Sequence, residues 1–186
     1  MTRQLLFVQG GGERVHDEWD GKLVPSLNTQ LGPDYDIRYP RMPNEADPRY
    51  ATWRTALEGE IATLDVGAIL VGHSLGGTFL IHAIAEHPPE QSLGAIFLIA
   101  APFVGEGEWQ TDEWKPQRGL GRRLRNDVPI YLYHGLADAS VPPSHAELYA
   151  RAIPQARLRY LPDRDHQLNN DLSEIAAVIS SLASKP

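Results

Sequence analysis

Three side chains in this sequence have the types and the chain order needed for nucleophilic acyl transfer: Ser74, Asp138 and His166. Ser74 lies in VGHSLGG, a Gly-x-Ser-x-Gly pattern between the apolar run GAIL and the segment TFLIHAIAEH. An isolated serine hydroxyl is a poor nucleophile and needs a base that a third group orients. His166 has the right chemistry to take the serine proton and return it to a leaving group. Asp138 has the right chemistry to fix the imidazole tautomer and stabilise its cation. The glycines flanking Ser74 also have a mechanical role. A strand-to-helix turn sharp enough to raise a serine hydroxyl leaves no room for side chains two positions away, and it aims the Leu75 N–H into the same space.

Other assignments compete with these. Asp163 and Asp165 adjoin His166, where hydrogen bonding within their own loop is the expected role. Among the remaining histidines, His82 is expected as a satisfied core residue, His87 at a helix C-terminus, and His73 in packing. His134 is expected as structural support at a strand end, and His145 in an exposed first helical turn. Gly10-Gly11-Gly12 can bring backbone N–H groups to an oxyanion, with Gly11 the expected partner of Leu75 and Gly12 the next choice. The alternative, a dinucleotide phosphate loop, fails because GGGERV does not continue as GxGxxG. Gly12, His16 and Trp109 are further candidates for substrate contact, with an ordinary surface loop the competing role for His16. No histidine pair has a metal-binding spacing such as HExxH, and neither a metal nor a cofactor is expected.

These residues need a frame, and the apolar pattern supplies one. Short β-rich runs, LLFV (5–8), YDIRY (35–39), GAILV (67–71), GAIFLIA (94–100), PIYLYH (129–134) and ARLRYL (156–161), alternate with helical stripes. One stripe is Trp53, Ala56, Leu57, Ile61 and Leu64; another is Leu172, Ile175, Ala176, Ile179 and Leu182. Asp171-x-x-Glu174 has the form of a capping box for the last helix. Pro142-Pro143 suits the start of a helix reaching about Ile153. A first helix over roughly 17–31 must accommodate Pro25. Strands alternating with helices indicate a parallel sheet in a three-layer α/β/α sandwich. LLFV, GAILV and GAIFLIA are apolar throughout, as doubly covered strands are. YDIRY and ARLRYL alternate and read as edges, with Asp36, Arg38, Arg157 and Arg159 on a wetter face. The resulting strand order is 2-1-3-4-5-6. Its switch point lies between strands 1 and 3, where open α/β sheets place ligands.

The bulk numbers agree with one α/β domain over 1–186: 186 residues, 42% hydrophobic, 22% charged and no cysteine. A formal charge of −7 argues against nucleic-acid binding. The apolar part of MTRQLLFVQGGG, about five residues, is too short for a signal h-region. No run approaches the ~20 apolar residues that span a bilayer. The expectation is a cytoplasmic protein that binds neither nucleic acid nor membrane. The irregular segment 101–127 is acidic first, then basic, and carries Trp109 and Trp114. It is the candidate for a short lid, with an ordinary connection as the alternative.

GHSLGG, HGLADASVP and RDHQLNN resemble the nucleophile, acid and histidine loops of the α/β-hydrolase superfamily. RYPRMPNEADPRYATW (38–53) resembles the MPxP-type segment and downstream tryptophan of the small serine hydrolases that include retinoblastoma-binding protein 9. The resemblance implies a minimal hydrolase fold without a large cap, a catalytic set of Ser74, Asp138 and His166, and an oxyanion hole from Leu75 and Gly11. Gln9 departs from the pattern, since many α/β-hydrolases carry a His-Gly pair there. The ordered Ser74, Asp138 and His166 point to a serine hydrolase cleaving an ester or related acyl substrate through an acyl-enzyme; the resemblance does not give the substrate, and thioesterase and peptidase activities stay open. The alternative is a hydrolase-fold protein that acts mainly by binding a protein partner, with the Trp109/Trp114 segment as the contact surface.

Overall fold

Six strands lie side by side in one sheet, all parallel, in the order β2-β1-β3-β4-β5-β6. The computed structural model describes residues 2–105 and 113–183. The strands are β1 (Arg3–Val8), β2 (Tyr35–Arg38), β3 (Ile69–His73), β4 (Ala95–Ile99), β5 (Ile130–Gly135) and β6 (Arg157–Leu161). The helices are α1 (Leu23–Leu31), α2 (Tyr50–Ala62), α3 (Ser74–Glu86), α4 (Leu120–Arg123), α5 (Ser144–Ala152) and α6 (Ser173–Ala183).

The alternation of side chains along each strand builds two cores. Leu5 and Phe7 of β1 point to the face covered by α1 and α6. Leu6 and Val8 point to the other face, under α2, α3 and α5. Strands β3, β4 and β5 are buried along their whole length, whereas β2 and β6 are only partly buried. Asp36, Arg157 and Arg159 are exposed and Arg38 is half-buried, as edge strands allow. The three-layer sandwich and its strand order match the sequence reading. Helices α1 and α3 leave the adjacent strands β1 and β3 on opposite faces, which opens a crevice at the carboxyl ends of those strands.

Several local expectations need correction. The helix expected over 17–31 begins only at Leu23. A π-helical turn, Val15–Trp19, and a 3₁₀ turn, Asp20–Lys22, precede it. Pro25 therefore lies in the first turn of α1, where its missing N–H costs no helical bond. At α6, Asp171 Oδ1 accepts from the Ser173 N–H at 3.0 Å. Glu174 does not complete the box; it takes the Arg164 guanidinium at 3.0 Å instead. His145 is fully buried rather than exposed, and its Nδ1 accepts from the Phe103 N–H at 2.8 Å. His82 is buried as expected but only half satisfied. Its Nδ1 meets the Gln117 N–H at 3.3 Å while its Nε2 has no partner among the described residues.

The segment 101–127 was the candidate lid, and part of it, 106–112, lies outside the described residues. Trp114 turns inward, stacked on Tyr50 at 4.2 Å and edge-on to Phe79 and His82. Trp109 lies outside the described residues. Trp53 is fully buried in α2, and its Nε1–H donates to the Pro43 carbonyl at 2.7 Å, which ties down the segment before it. Among the described residues, no helix is long and apolar enough to cross a membrane.

Candidate active site

The crevice holds Ser74, at the junction of β3 and α3. Its φ of +50° is a left-handed conformation that a non-glycine residue adopts only when its surroundings force it. The surroundings are glycines. A Cβ on Gly72 would overlap the backbone of Gly77, and one on Gly76 would overlap the Gln9 carbonyl. Strand, turn and helix thus approach more closely than any side chain permits. The result is a half-buried Ser74 at the N-terminus of a helix that lacks a side-chain cap. Leu75 occupies the first turn of α3, so its N–H has no intrahelical partner and faces a region of positive helix potential.

The loops after β5 and β6 bring Asp138 and His166 to this serine. Asp138 is buried at 7% exposure. Its Oδ1 accepts the Ser140 and Val141 N–H groups, each at 2.8 Å. Its Oδ2 lies 2.7 Å from His166 Nδ1 and 3.2 Å from His134 Nε2. Burial alone would raise this carboxyl. The hydrogen bonds from His134, His166 and the Val141 N–H outweigh burial and hold it well below the usual carboxylate range. An ionised Asp138 is an acceptor only, so His166 Nδ1 carries a proton, and in the neutral ring Nε2 is then an acceptor. The Ser74 hydroxyl donates to that nitrogen at 3.0 Å. His134 also donates to the Val141 carbonyl at 2.8 Å, as strand-end support.

The glycine loop closes the other side. The Gly10 N–H donates to Asp20 Oδ2 and the Gly12 N–H to the Glu45 carbonyl, each at 2.6 Å. Gly11 sits between them, against Leu75, and lines the cavity with Ser74. Gln9 explains the departure from a His-Gly pair. It is fully buried, its Oε1 accepts the Met42 N–H at 2.9 Å, and its Nε2 donates to Glu45 Oε2 at 2.6 Å. Gln9 thus clamps the 42–45 turn to the end of β1.

The cavity above Ser74 has a volume of about 420 Å³. Val15, Trp19, Ala137, Ala139 and Ser140 form its walls. Gly12 and His16 do not line it. The His16 ring stacks on Tyr39 at 4.2 Å and is held by Asp17 at 2.9 Å, away from the serine. No described residue of 101–127 lines it either. The sequence reading missed Val15 and Trp19, which belong to an irregular stretch without periodicity.

It also missed Asp20. This carboxylate is fully buried and lies 2.9 Å from His73 Nδ1. His73 Nε2 lies 2.9 Å from the His166 carbonyl oxygen. Burial opposes charge on both groups. Their mutual attraction prevails, which raises His73 and lowers Asp20 from their ordinary values. Packing was the expected role for His73; in the structure its ring bridges the Asp20 carboxylate and the His166 carbonyl.

A six-stranded parallel sheet in this order, with a strained serine at the β3–α3 turn, defines an α/β-hydrolase fold. The chain belongs to the serine hydrolase family, whose model matches residues 6–172. Solved structures agree on the fold. The ydeN gene product of B. subtilis superposes with a TM-score of 0.76 at 21% identity, covering 99% of this chain and all of its own. The esterase EaEST from Exiguobacterium antarcticum gives 0.72 at 14% identity, covering 98% of this chain and 92% of its own. The esterase domain of a Rhodothermus marinus protein gives 0.66 at 20% identity, covering 97% and 86%. No curated protein matches the chain by sequence.

Proposed function

We propose that this serine hydrolase cleaves small carboxylic esters through an acyl-enzyme formed on Ser74. The observation that carries the reading is the continuous hydrogen-bonded line from Ser74 Oγ to His166 Nε2 at 3.0 Å and from His166 Nδ1 to Asp138 Oδ2 at 2.7 Å. In the acylation step, His166 takes the hydroxyl proton as Ser74 Oγ bonds to the substrate carbonyl carbon. The carbonyl oxygen gains negative charge, and the N–H groups of Leu75 and Gly11 receive it. Each such donor is worth about 3–4 kcal/mol in the transition state. Collapse breaks the ester bond, and His166 gives its proton to the leaving alcohol. Water then repeats the sequence on the acyl-enzyme. Asp138 stays ionised throughout and stabilises the imidazolium.

The cavity supports a compact substrate. Val15, Ala137 and Ala139 offer short apolar walls, and the half-exposed Trp19 indole forms an open side. The EaEST structure and the R. marinus domain are described as esterases, which supports the ester reading. The protein and a Ser74→Ala variant are to be assayed with a fluorophosphonate probe and a series of p-nitrophenyl esters. The expected result is labelling and turnover of the unaltered protein, with turnover reduced at least about 10⁴-fold and labelling abolished in the variant. Equal labelling of both would remove Ser74 from the mechanism. An unreactive protein that still folds would favour the binding-partner alternative.

A further inference from the structure

We infer that Asp20 and His73 are a buried positioning pair that fixes His166 and the glycine loop against Ser74; this rests on the roles proposed above for Ser74 and His166. Both nitrogens of the His73 ring face oxygen acceptors, Nδ1 toward Asp20 Oδ2 and Nε2 toward the His166 carbonyl, each at 2.9 Å. A neutral imidazole has one N–H and one lone pair. Neutral His73 would turn that lone pair on a carboxylate or a carbonyl oxygen. Only the imidazolium donates to both.

Asp20 supplies the opposing charge, and both its oxygens are used. Oδ2 also accepts the Gly10 N–H at 2.6 Å, and Oδ1 accepts Gln167 Nε2 at 3.2 Å. The two side chains are 1% and 0% exposed, so solvent does little to screen them. Their partners come from three places in the chain: the loop after β1, the end of β3 and the loop after β6. One ion pair therefore sets the distance between the oxyanion loop, the serine turn and the histidine loop. Neither residue hydrogen-bonds to Ser74; each acts through the backbone it holds, and the His73 and His166 ring centroids lie 5.0 Å apart.

The experiment compares Asp20→Asn, His73→Gln and the double variant, with kcat expressed per active site titrated to completion by the fluorophosphonate. Asp20→Asn leaves His73 neutral with one N–H. His73→Gln leaves a side chain that donates from one end only. Each single variant is expected to lose about 30-fold in kcat per titrated site, with KM within about threefold of the unaltered protein. The double variant is expected to lose no more than the worse single one, because the pair acts as a unit. Normal kcat per titrated site in both single variants, or losses that multiply in the double, overturns the inference.

¹⁵N NMR of the unaltered protein gives a test that does not depend on whether the variants fold. Both His73 ring nitrogens should remain protonated above the pH at which an ordinary histidine becomes neutral. A neutral ring at pH 7 overturns the pair. A protein that neither labels nor turns over faults the role of Ser74 instead, and the NMR spectrum still decides the role of Asp20 and His73.

Discussion

Two histidines on α3, His73 at its N-cap and His82 deeper along it, are almost equally hidden from water, at 1% and 2% exposure. They end in opposite states. His73 has an oxygen acceptor at each ring nitrogen, and the Asp20 carboxylate raises it above its ordinary value against burial. His82 accepts one backbone N–H, has no partner at Nε2 among the described residues and packs edge-on to Trp114. Burial pushes it down to about 4 despite the nearby Glu86 charge. Burial alone thus lowers a histidine, and a buried carboxylate with a second acceptor reverses the direction. The two surroundings divide the helix into an end built to carry charge and a body built to exclude it.

The contrast is broken most severely by removing one charge and stranding the other. His73→Leu should destabilise the protein by about 3–5 kcal/mol at pH 7, because Asp20 stays buried without its partner. Urea unfolding measures this, and a loss under about 1 kcal/mol would mean that Asp20 escapes to water or protonates at little cost.

Acid sharpens the same contrast from the other side. His82 is neutral in the folded chain down to about pH 4, whereas in the unfolded chain it takes a proton near the ordinary histidine value of 6.5. The unfolded state therefore binds more protons in that window, and stability falls as pH drops from 6.5 toward 4. The loss from this residue approaches about 3 kcal/mol. His82→Leu should remove that part of the acid sensitivity while changing stability at pH 7 by about 1 kcal/mol. The His73–Asp20 pair works with opposite signs. The raised His73 contributes fully below 6.5 and loses its contribution only as pH rises through its folded value. The lowered Asp20 contributes above 3.8 and loses its share as pH falls. Unfolding curves at several pH values separate the two sites.

The smallest effect belongs to a carboxylate in neither setting. Asp171 is exposed enough to be solvated, and it accepts the Ser173 N–H at the start of α6. Asp171→Ala should cost about 1 kcal/mol in thermal or urea unfolding, far less than stranding Asp20.

The strands, their order and the positions of Ser74, Asp138 and His166 were legible because each signal is local. An apolar run precedes a glycine turn or a polar loop, and the parallel sheet carries every such loop to the same edge. Asp20 had no local signal. It lies in a π-to-3₁₀ turn without periodicity, and its partners come from distant parts of the chain. Val15 and Trp19 share that stretch and were missed for the same reason. His145 was readable in principle, since His145 and Tyr149 fall on one face of α5 and both are buried. The rule that first helical turns are wet misled there. His82 shows a different limit: sequence placed it in the core, but whether its second nitrogen finds a partner depends on side-chain geometry.

The meeting of three loops at Asp20 also makes the molecule divisible in an informative way. Val66 is 78% exposed in the turn before β3. A break there yields one fragment with Gly11 and Asp20 and another with Ser74, Asp138 and His166. Ser74 and His166 would stay on a single piece, while Asp20, which contacts His73 and Gln167, would be on the other. Fluorophosphonate labelling of the mixed fragments should then report how many halves have reunited, so that reactivity becomes a measure of assembly.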